Sequence, residues 1–188
     1  MLIGWTTLLI YLIFKKQKVL IERKSALKFL GNGILIALHW YCFFEAIVRS
    51  NVSIALVFLS TTALFTSFVE PLITKKKFNP KELITSVLVV IGIIVIMNDL
   101  NFSENETYLS AIVFSLLAAL LAALFSVYNS VFVKEHHSGV ISLYELFGGF
   151  VFISLLFLLS GDIVVSELHL TMEQFSWLFL LGTICTSF

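Results

Sequence analysis

Residues 87–97 read VLVVIGIIVIM, eleven consecutive residues without a polar side chain. The strands of a membrane β-barrel alternate apolar and polar residues, and this stretch does not. A continuous apolar run instead favours a helix that crosses a lipid bilayer. The chain as a whole is 59% apolar over 188 residues, which is more than the core of one soluble domain of this length needs. We therefore predict an all-α membrane protein, a polytopic helical bundle.

Seven apolar segments can be drawn along the chain. A helix needs about 20 residues to cross ~30 Å of hydrocarbon. The second, third, fifth and sixth segments meet this length, and the fourth is short but acceptable. The first and the last are too short and stop at the chain ends. The segments are residues 1–14, 29–48, 52–74, 83–98, 109–133, 140–159 and 175–188.

The connections between these segments alternate in charge. The first, third and fifth are basic, whereas the others hold one Arg and most of the acidic residues. Because short basic loops stay in the cytoplasm, the pattern predicts a multi-pass protein of the plasma (cell inner) membrane with its basic loops inside. The lipid bilayer is then its first partner. The basic residues are Lys15, Lys16, Lys18, Arg23, Lys24, Lys28, Lys75, Lys76, Lys77, Lys81 and Lys134. The other connections hold Arg49, Asp99, Glu104, Glu106, Asp162, Glu167 and Glu173.

Three carboxylates fall inside the segments, where a charge must face a cavity, pair with a partner or be neutralised. Glu70 precedes the lysines at 75–77 by about one turn, which predicts an ion pair. Glu45 either pairs with Arg49 at the rim or takes part in translocation. Glu145 has no Lys or Arg in its own segment. It is therefore the candidate for a coupling or substrate role.

Other polar residues in three segments are candidates for a substrate cavity. His39 either hydrogen-bonds a neighbouring helix or carries protons. The hydroxyls of the third segment either line a cavity or bond back to their own helix. Asn129 either joins two helices or binds substrate, and small residues at steps of four predict that the fifth segment is central and buried. The candidates are His39, Trp40, Tyr41, Ser60, Thr62, Thr66, Ser126 and Asn129.

Enzyme motifs are missing from the sequence: it has no HExxH, no GxSxG and no P-loop. His136 and His137 are adjacent but lack further ligands, so no metal site is predicted. An intramembrane enzyme would need a second catalytic group within hydrogen-bonding reach of His39. We expect no enzyme activity, no cofactor and no nucleic-acid partner.

Residues 46–97, AIVRSNVSIALVFLSTTALFTSFVEPLITKKKFNPKELITSVLVVIGIIVIM, resemble the EamA family of the drug/metabolite transporter superfamily. The shared order is a helix, a tight turn, a hydroxyl-rich helix, a basic turn and a short Gly-containing helix. The stretches YNSVFVKEHHSG and SLYELFGGFVF are similar to the second half of the family. Family members often have Pro where this chain has Ala63, which leaves a helix kink there undecided.

The resemblance implies a place in a larger architecture. The family has ten helices in two inverted five-helix repeats, and this chain resembles helices two to eight. Residues 1–98 would then be an incomplete first repeat, helices two to five. Residues 109–188 would be an incomplete second repeat, helices six to eight, with the last one truncated.

A weak internal echo agrees with this inverted repeat. LIG at residues 2–4 can be set against LFG at 146–148, and each begins a helix rich in Phe and Leu. Leu-Gly at 30–31 and at 181–182 falls at comparable points of the following helices. An odd number of helices per repeat inverts the second copy, which is the usual plan of alternating-access carriers.

The function that the resemblance implies is that of an integral membrane transporter, an exporter of small metabolites or drugs, present here as a fragment. It would work by alternating access, with the eight cavity candidates lining the path and Glu145 coupling it to protons. A homodimer is a further candidate assembly. The alternative is a non-transporting membrane scaffold or a degenerate truncated relative. A carrier needs polar groups that converge on one void within the membrane, whereas a scaffold packs shut.

Overall fold

A computed structural model describes residues 1–99, 106–160 and 171–185, and every regular element in these ranges is a helix. The all-α prediction is therefore confirmed. Glu104, Asp162, Glu167 and the end of the seventh predicted segment, 186–188, lie outside the described residues. The helices are α1 (Leu2–Phe14), α2 (Arg23–Arg49), α3 (Val52–Leu59), α4 (Thr62–Thr74), α5 (Pro80–Asp99), α6 (Glu106–Phe132), α7 (Ser138–Ser160) and α8 (Met172–Leu180), followed by a π-helical turn at Leu181–Cys185.

In the part of the chain that the structure describes, four helical stretches are long and apolar enough to cross a membrane. They correspond to the second, third, fifth and sixth predicted segments, which confirms the choice made from length and hydropathy. Their helices extend beyond the apolar cores, because charged residues can continue a helix outside the hydrocarbon. The stretches are Arg23–Arg49, Val52–Thr74, Tyr108–Phe132 and Ser138–Ser160.

The third predicted segment is interrupted at Ser60 and Thr61, between α3 and α4. Three consecutive hydroxyls there each donate to the carbonyl three residues earlier: Ser60 to Val57 at 2.5 Å, and Thr61 and Thr62 at 2.6 Å to their own partners. The backbone N–H of Thr61 also bonds the carbonyl of residue 58, a tighter turn than an α-helix makes. Local hydroxyl bonding therefore accompanies the break. The helix break therefore forms without a proline, with Ala63 at the position where the sequences that this chain resembles often have Pro.

The chain divides into two compact units. The first combines Met1–Ala37 with Phe132–Phe188, and the second is Leu38–Val131. In the first unit α1 packs against α7 through a buried cluster of leucines. Trp5 adds a ring contact with Phe147, with centroids 5.5 Å apart. The cluster consists of Leu8, Leu12, Leu143 and Leu146.

The second unit is built around α6. Ala111, Ser115, Ala119 and Ala123 have no exposed surface and follow one another at steps of four. This row confirms that one face of the fifth segment is buried. Small side chains let neighbouring backbones approach closely, which replaces the hydrophobic drive that lipid removes. A second cluster in this unit joins Ile54, Phe58 and Ile93.

Candidate functional site

The closest helix approach in the first unit is the crossing of α2 and α7. A methyl group built at Gly148 would lie 2.5 Å from the backbone oxygen of Leu30, and one built at Gly149 would lie 2.9 Å from that of Gly33. A methyl group at Gly33 would overlap the backbone carbonyl of Glu145. The two backbones are therefore in direct contact, which only glycine permits.

A polar pair lies at this crossing. The Asn32 amide Nδ2 donates to Glu145 Oε1 at 2.7 Å, and each residue is only 3% exposed. Glu145 had been selected from the sequence, whereas Asn32 had not. The pattern that could have identified Asn32 is GNG at residues 31–33, an amide between two glycines inside an apolar segment.

A second close approach in the first unit involves α1 and the π-helical turn. A methyl group built at Gly182 would lie 2.8 Å from Ile3 Cγ2 and 3.5 Å from the backbone nitrogen of Gly4. In the internal echo, Gly4 is paired with Gly148, and Leu181–Gly182 is paired with Leu30–Gly31. The two contacts are not equivalent under this pairing, because a methyl group at Gly31, the position paired with Gly182, meets no atom within 4 Å.

His39 is held by a neighbouring helix. Its Nδ1 donates to the Ala118 carbonyl of α6 at 2.9 Å, and the side chain is 8% exposed. The alternative of an interhelical hydrogen bond is therefore the arrangement observed. Trp40 is 40% exposed and stacks on Phe44 with ring centroids 5.7 Å apart, and Tyr41 is half-buried.

The hydroxyl candidates of the third segment bond back to their own chain. Beside the pairs of Ser60 and Thr62 at the helix break, Thr66 donates to the Thr62 carbonyl at 2.8 Å. This is the second of the two arrangements expected for them. Each hydroxyl oxygen keeps lone pairs that can accept a hydrogen bond from a ligand.

The two candidates on α6 differ in exposure. Ser126 is exposed and Asn129 is half-buried. Ser126 belongs to a row of small residues at steps of four, 118, 122, 126 and 130, of which only Ala118 is fully buried. The buried face of α6 is therefore centred on Ser115 and Ala119, and the row containing Ser126 turns away from it.

The two remaining carboxylates form the ion pairs expected of them. Arg49 Nε lies 3.0 Å from Glu45 Oε2, and Lys76 Nζ lies 2.6 Å from Glu70 Oε1. The hydrogen bond and the charge of Glu70 raise the pKa of Lys76 above its ordinary value. Arg49 also lies over the Phe114 ring, 4.7 Å from its centroid. These pairs are accounted for by local structure.

Two open cavities lie in the first unit, with volumes of about 520 and 200 Å³. Neither is lined by any of the nine candidate residues. The eight cavity candidates all belong to the second unit, and Glu145 belongs to the first. Among the described residues, no group of three or more His, Cys, Asp or Glu side chains could hold a metal ion.

Comparison with known proteins gives the family. The EamA-like transporter family model matches residues 1–98, which is 98 of 188 residues. The chain belongs to the EamA-like transporter family. It is a multi-pass membrane protein, as its apolar helices indicate.

Two curated relatives are named as exporters. The pseudopaline exporter CntI of Pseudomonas aeruginosa, from strains UCBPP-PA14 and PAO1, is 27% identical to this chain over 140 residues. The match covers 74% of this chain and 48% of each relative. The chain therefore spans about half the length of the curated relatives that it matches. No solved structure matches it significantly.

Replacing His39 should weaken the second unit. His39→Leu leaves the Ala118 carbonyl without its donor, so we expect the free energy of unfolding to fall by about 1–2 kcal/mol. Trp40→Leu at the next, more exposed position is the matched control and should change it less. The measurement is unfolding in detergent micelles with increasing dodecyl sulfate. Equal losses in the two variants would contradict the assignment.

Proposed function

We propose that this chain is part of a carrier that moves small metabolites or drugs out of the cell by alternating access. Its membership of the EamA-like transporter family and its similarity to proteins named as exporters support this proposal. The alternating charge of its connections supports the plasma (cell inner) membrane as its location, with the basic loops in the cytoplasm.

The observation that carries the mechanism is the buried pair of Asn32 and Glu145 at the crossing of α2 and α7. Asn32 Nδ2 donates to Glu145 Oε1 at 2.7 Å, and each residue is 3% exposed. An ionisable group enclosed within a membrane span is a candidate for handling a proton or a substrate. The sequence echo of residues 2–4 with 146–148 supports a carrier built from an inverted repeat.

Glu145 is the coupling group in this proposal. A carboxylate buried in hydrocarbon is strongly disfavoured, so Glu145 is protonated while Asn32 and the α2–α7 crossing enclose it. When the crossing opens, water reaches the carboxyl and the proton leaves. The proton is thus bound and released once in each cycle, which couples substrate movement to a pH gradient.

The substrate path in this proposal is lined by the residues selected from the sequence. All eight lie in the second unit, on α2, α4 and α6 or at the break between α3 and α4. The hydroxyls that bond back to their helix remain acceptors for substrate N–H and O–H groups. The aromatic faces beside His39 offer apolar and cation–π contacts.

The test uses everted membrane vesicles from cells that express the chain and, in parallel, the reading frame that contains it. Uptake of ethidium and of radiolabelled amino acids is followed with and without an imposed pH gradient. We expect gradient-dependent uptake above vesicles without the protein. Glu145→Gln should remove the dependence on the gradient, whereas Glu45→Gln, at the rim ion pair, should keep it.

Two results would count against the proposal. Uptake equal to that of empty vesicles with every probe would favour the membrane scaffold. Full gradient dependence in Glu145→Gln would keep the carrier but remove the coupling role of Glu145.

A further inference from the structure

The larger cavity of the first unit lies where the connection between α1 and α2 faces the turn between α6 and α7. Its volume is about 520 Å³. Its polar lining has both signs of charge, and it sits outside the apolar cores of the helices, at the level of the membrane surface. The polar lining residues are Gln17, Lys18, Glu22, Glu135, His136 and His137.

The two imidazoles of this cavity are fixed by local structure. His136 is half-buried and packs edge-on against the Phe29 ring, with centroids 5.2 Å apart. His137 Nδ1 accepts from the backbone N–H of Gly139 at 3.2 Å. In neutral His137 the proton is therefore on Nε2, which is left as a donor.

A second, apolar cavity of about 200 Å³ adjoins the first, because Leu20 lines both. Together the two cavities follow one face of α7, from Val140 in the polar cavity to Phe147 in the apolar cavity. Seven residues of helix span about 10 Å. The wall of the apolar cavity consists of Trp5, Val19, Leu20, Leu143, Tyr144 and Phe147.

The connection between α1 and α2, which lines both cavities, is attached to α7. Tyr144 Oη donates to the Val19 carbonyl at 3.3 Å, and Trp5 packs against Phe147. A polar compartment at the membrane surface thus continues into an apolar groove that enters the helical layer. This is the shape of a phospholipid: a charged headgroup followed by an acyl chain.

We infer that this double cavity binds a phospholipid whose headgroup has a phosphate, a primary ammonium and no further charge, that is, phosphatidylethanolamine. Lys18 and His137 would donate to the phosphate, and Glu22 and Glu135 would accept from the ammonium. The first part of one acyl chain would lie in the apolar groove, against Trp5, Leu143 and Phe147. This inference depends on the chain being a membrane protein and is independent of the proposed transport.

The lining distinguishes this headgroup from the two obvious alternatives. A purely anionic headgroup would meet two carboxylates, Glu22 and Glu135, against one ammonium, that of Lys18. A choline headgroup is recognised by aromatic faces, and no Trp, Tyr or Phe is among the described residues that line the polar cavity. A primary ammonium has three N–H donors, which two carboxylates can accept.

The nearby basic residues act at longer range. The connection and the start of α2 contain Lys15, Lys16, Arg23, Lys24 and Lys28 outside the cavity lining. Their field attracts any phosphate to this surface but does not select among headgroups. Selection is left to the groups in the cavity itself.

The experiment is native mass spectrometry of the full chain, released from detergent with one phospholipid at a time. The probes are phosphatidylethanolamine, phosphatidylcholine and phosphatidylglycerol with identical acyl chains. We expect phosphatidylethanolamine to be retained about tenfold better than the other two, as charge-assisted hydrogen bonds to its ammonium would produce. Equal retention of the three lipids, or preference for phosphatidylglycerol, would overturn the inference.

Variants test the assigned groups. Glu22→Gln with Glu135→Gln should abolish the preference over phosphatidylcholine, whereas Glu173→Gln, a carboxylate outside the cavity, should keep it. Lys18→Gln should weaken retention of all three lipids, and Lys24→Gln, which does not line the cavity, should not. If a variant fails to fold, the comparison of the three phospholipids on the unchanged chain still tests the inference.

A third arm separates headgroup binding from lipid binding. Soluble glycerophosphoethanolamine has the same headgroup without acyl chains. We expect it to displace bound phosphatidylethanolamine poorly, because the apolar groove contributes to retention. Complete displacement at equimolar concentration would show a headgroup site alone and would overturn the role of the groove.

Discussion

Gly33→Ala should lower the free energy of unfolding by about 3 kcal/mol, because the new methyl group overlaps the backbone carbonyl of Glu145. The obstacle is main chain, so no side-chain rotation can relieve the overlap and α2 must move away from α7. That movement also stretches the hydrogen bond between Asn32 and Glu145, which is only 2.7 Å long.

Gly31→Ala is the matched control on the same helix, two residues away. A methyl group at Gly31 meets no atom within 4 Å. Since Ala is favoured over Gly in a helix by up to about 1 kcal/mol, Gly31→Ala should be neutral or stabilising. The two variants are compared by unfolding in mixed micelles with increasing dodecyl sulfate. Equal stability of the two variants would show that α2 and α7 do not touch at Gly33.

The membrane spans could be predicted because they depend on local chemistry. Apolar runs of about 20 residues are decided by the cost of exposing backbone and polar groups to hydrocarbon. The ends of the helices were less predictable: the second segment was drawn at 29–48, whereas α2 is Arg23–Arg49. The charged first turn of α2 lies beyond the apolar core, where helix formation no longer depends on hydropathy.

The interruption of the third span shows a limit of hydropathy. Residues 52–74 form one apolar segment, yet Ser60 and Thr61 separate α3 from α4. Bonding back to the helix is one of the two arrangements that the sequence predicts for these hydroxyls. The effect of three such bonds in succession on the helix itself depends on detailed geometry, which composition does not contain.

The candidate site was only half visible in the sequence. Glu145 could be selected because no Lys or Arg lies within ten residues of it, whereas Glu45 and Glu70 each have one four or five residues away. Asn32 lies 113 positions away along the chain, and its pairing depends on the crossing of two helices at Gly33 and Gly148. A single sequence does not reveal such a crossing. For the same reason, an interhelical hydrogen bond of His39 could be predicted from the sequence, but its partner, the Ala118 carbonyl, could not.

The pairing of Asn32 with Glu145 should appear as a coupling energy. Asn32→Leu removes the amide donor and leaves the carboxyl oxygen enclosed, and Glu145→Met leaves the amide without that acceptor. Each replacement should lower the free energy of unfolding by about 2 kcal/mol, the cost of burying a polar group whose partner has been removed. The double variant replaces both groups by apolar side chains of similar size.

The double variant should therefore lose less free energy of unfolding than the two single variants lose together, by about 1–2 kcal/mol. Unfolding of all four proteins in the same micelles gives this difference directly. Additive losses would mean that the two side chains do not interact energetically, and the crossing would then be held by glycine packing alone. A double-variant loss smaller than the sum would show that separating α2 from α7 breaks a polar contact. In the proposed cycle, this separation is the step that gives water access to Glu145.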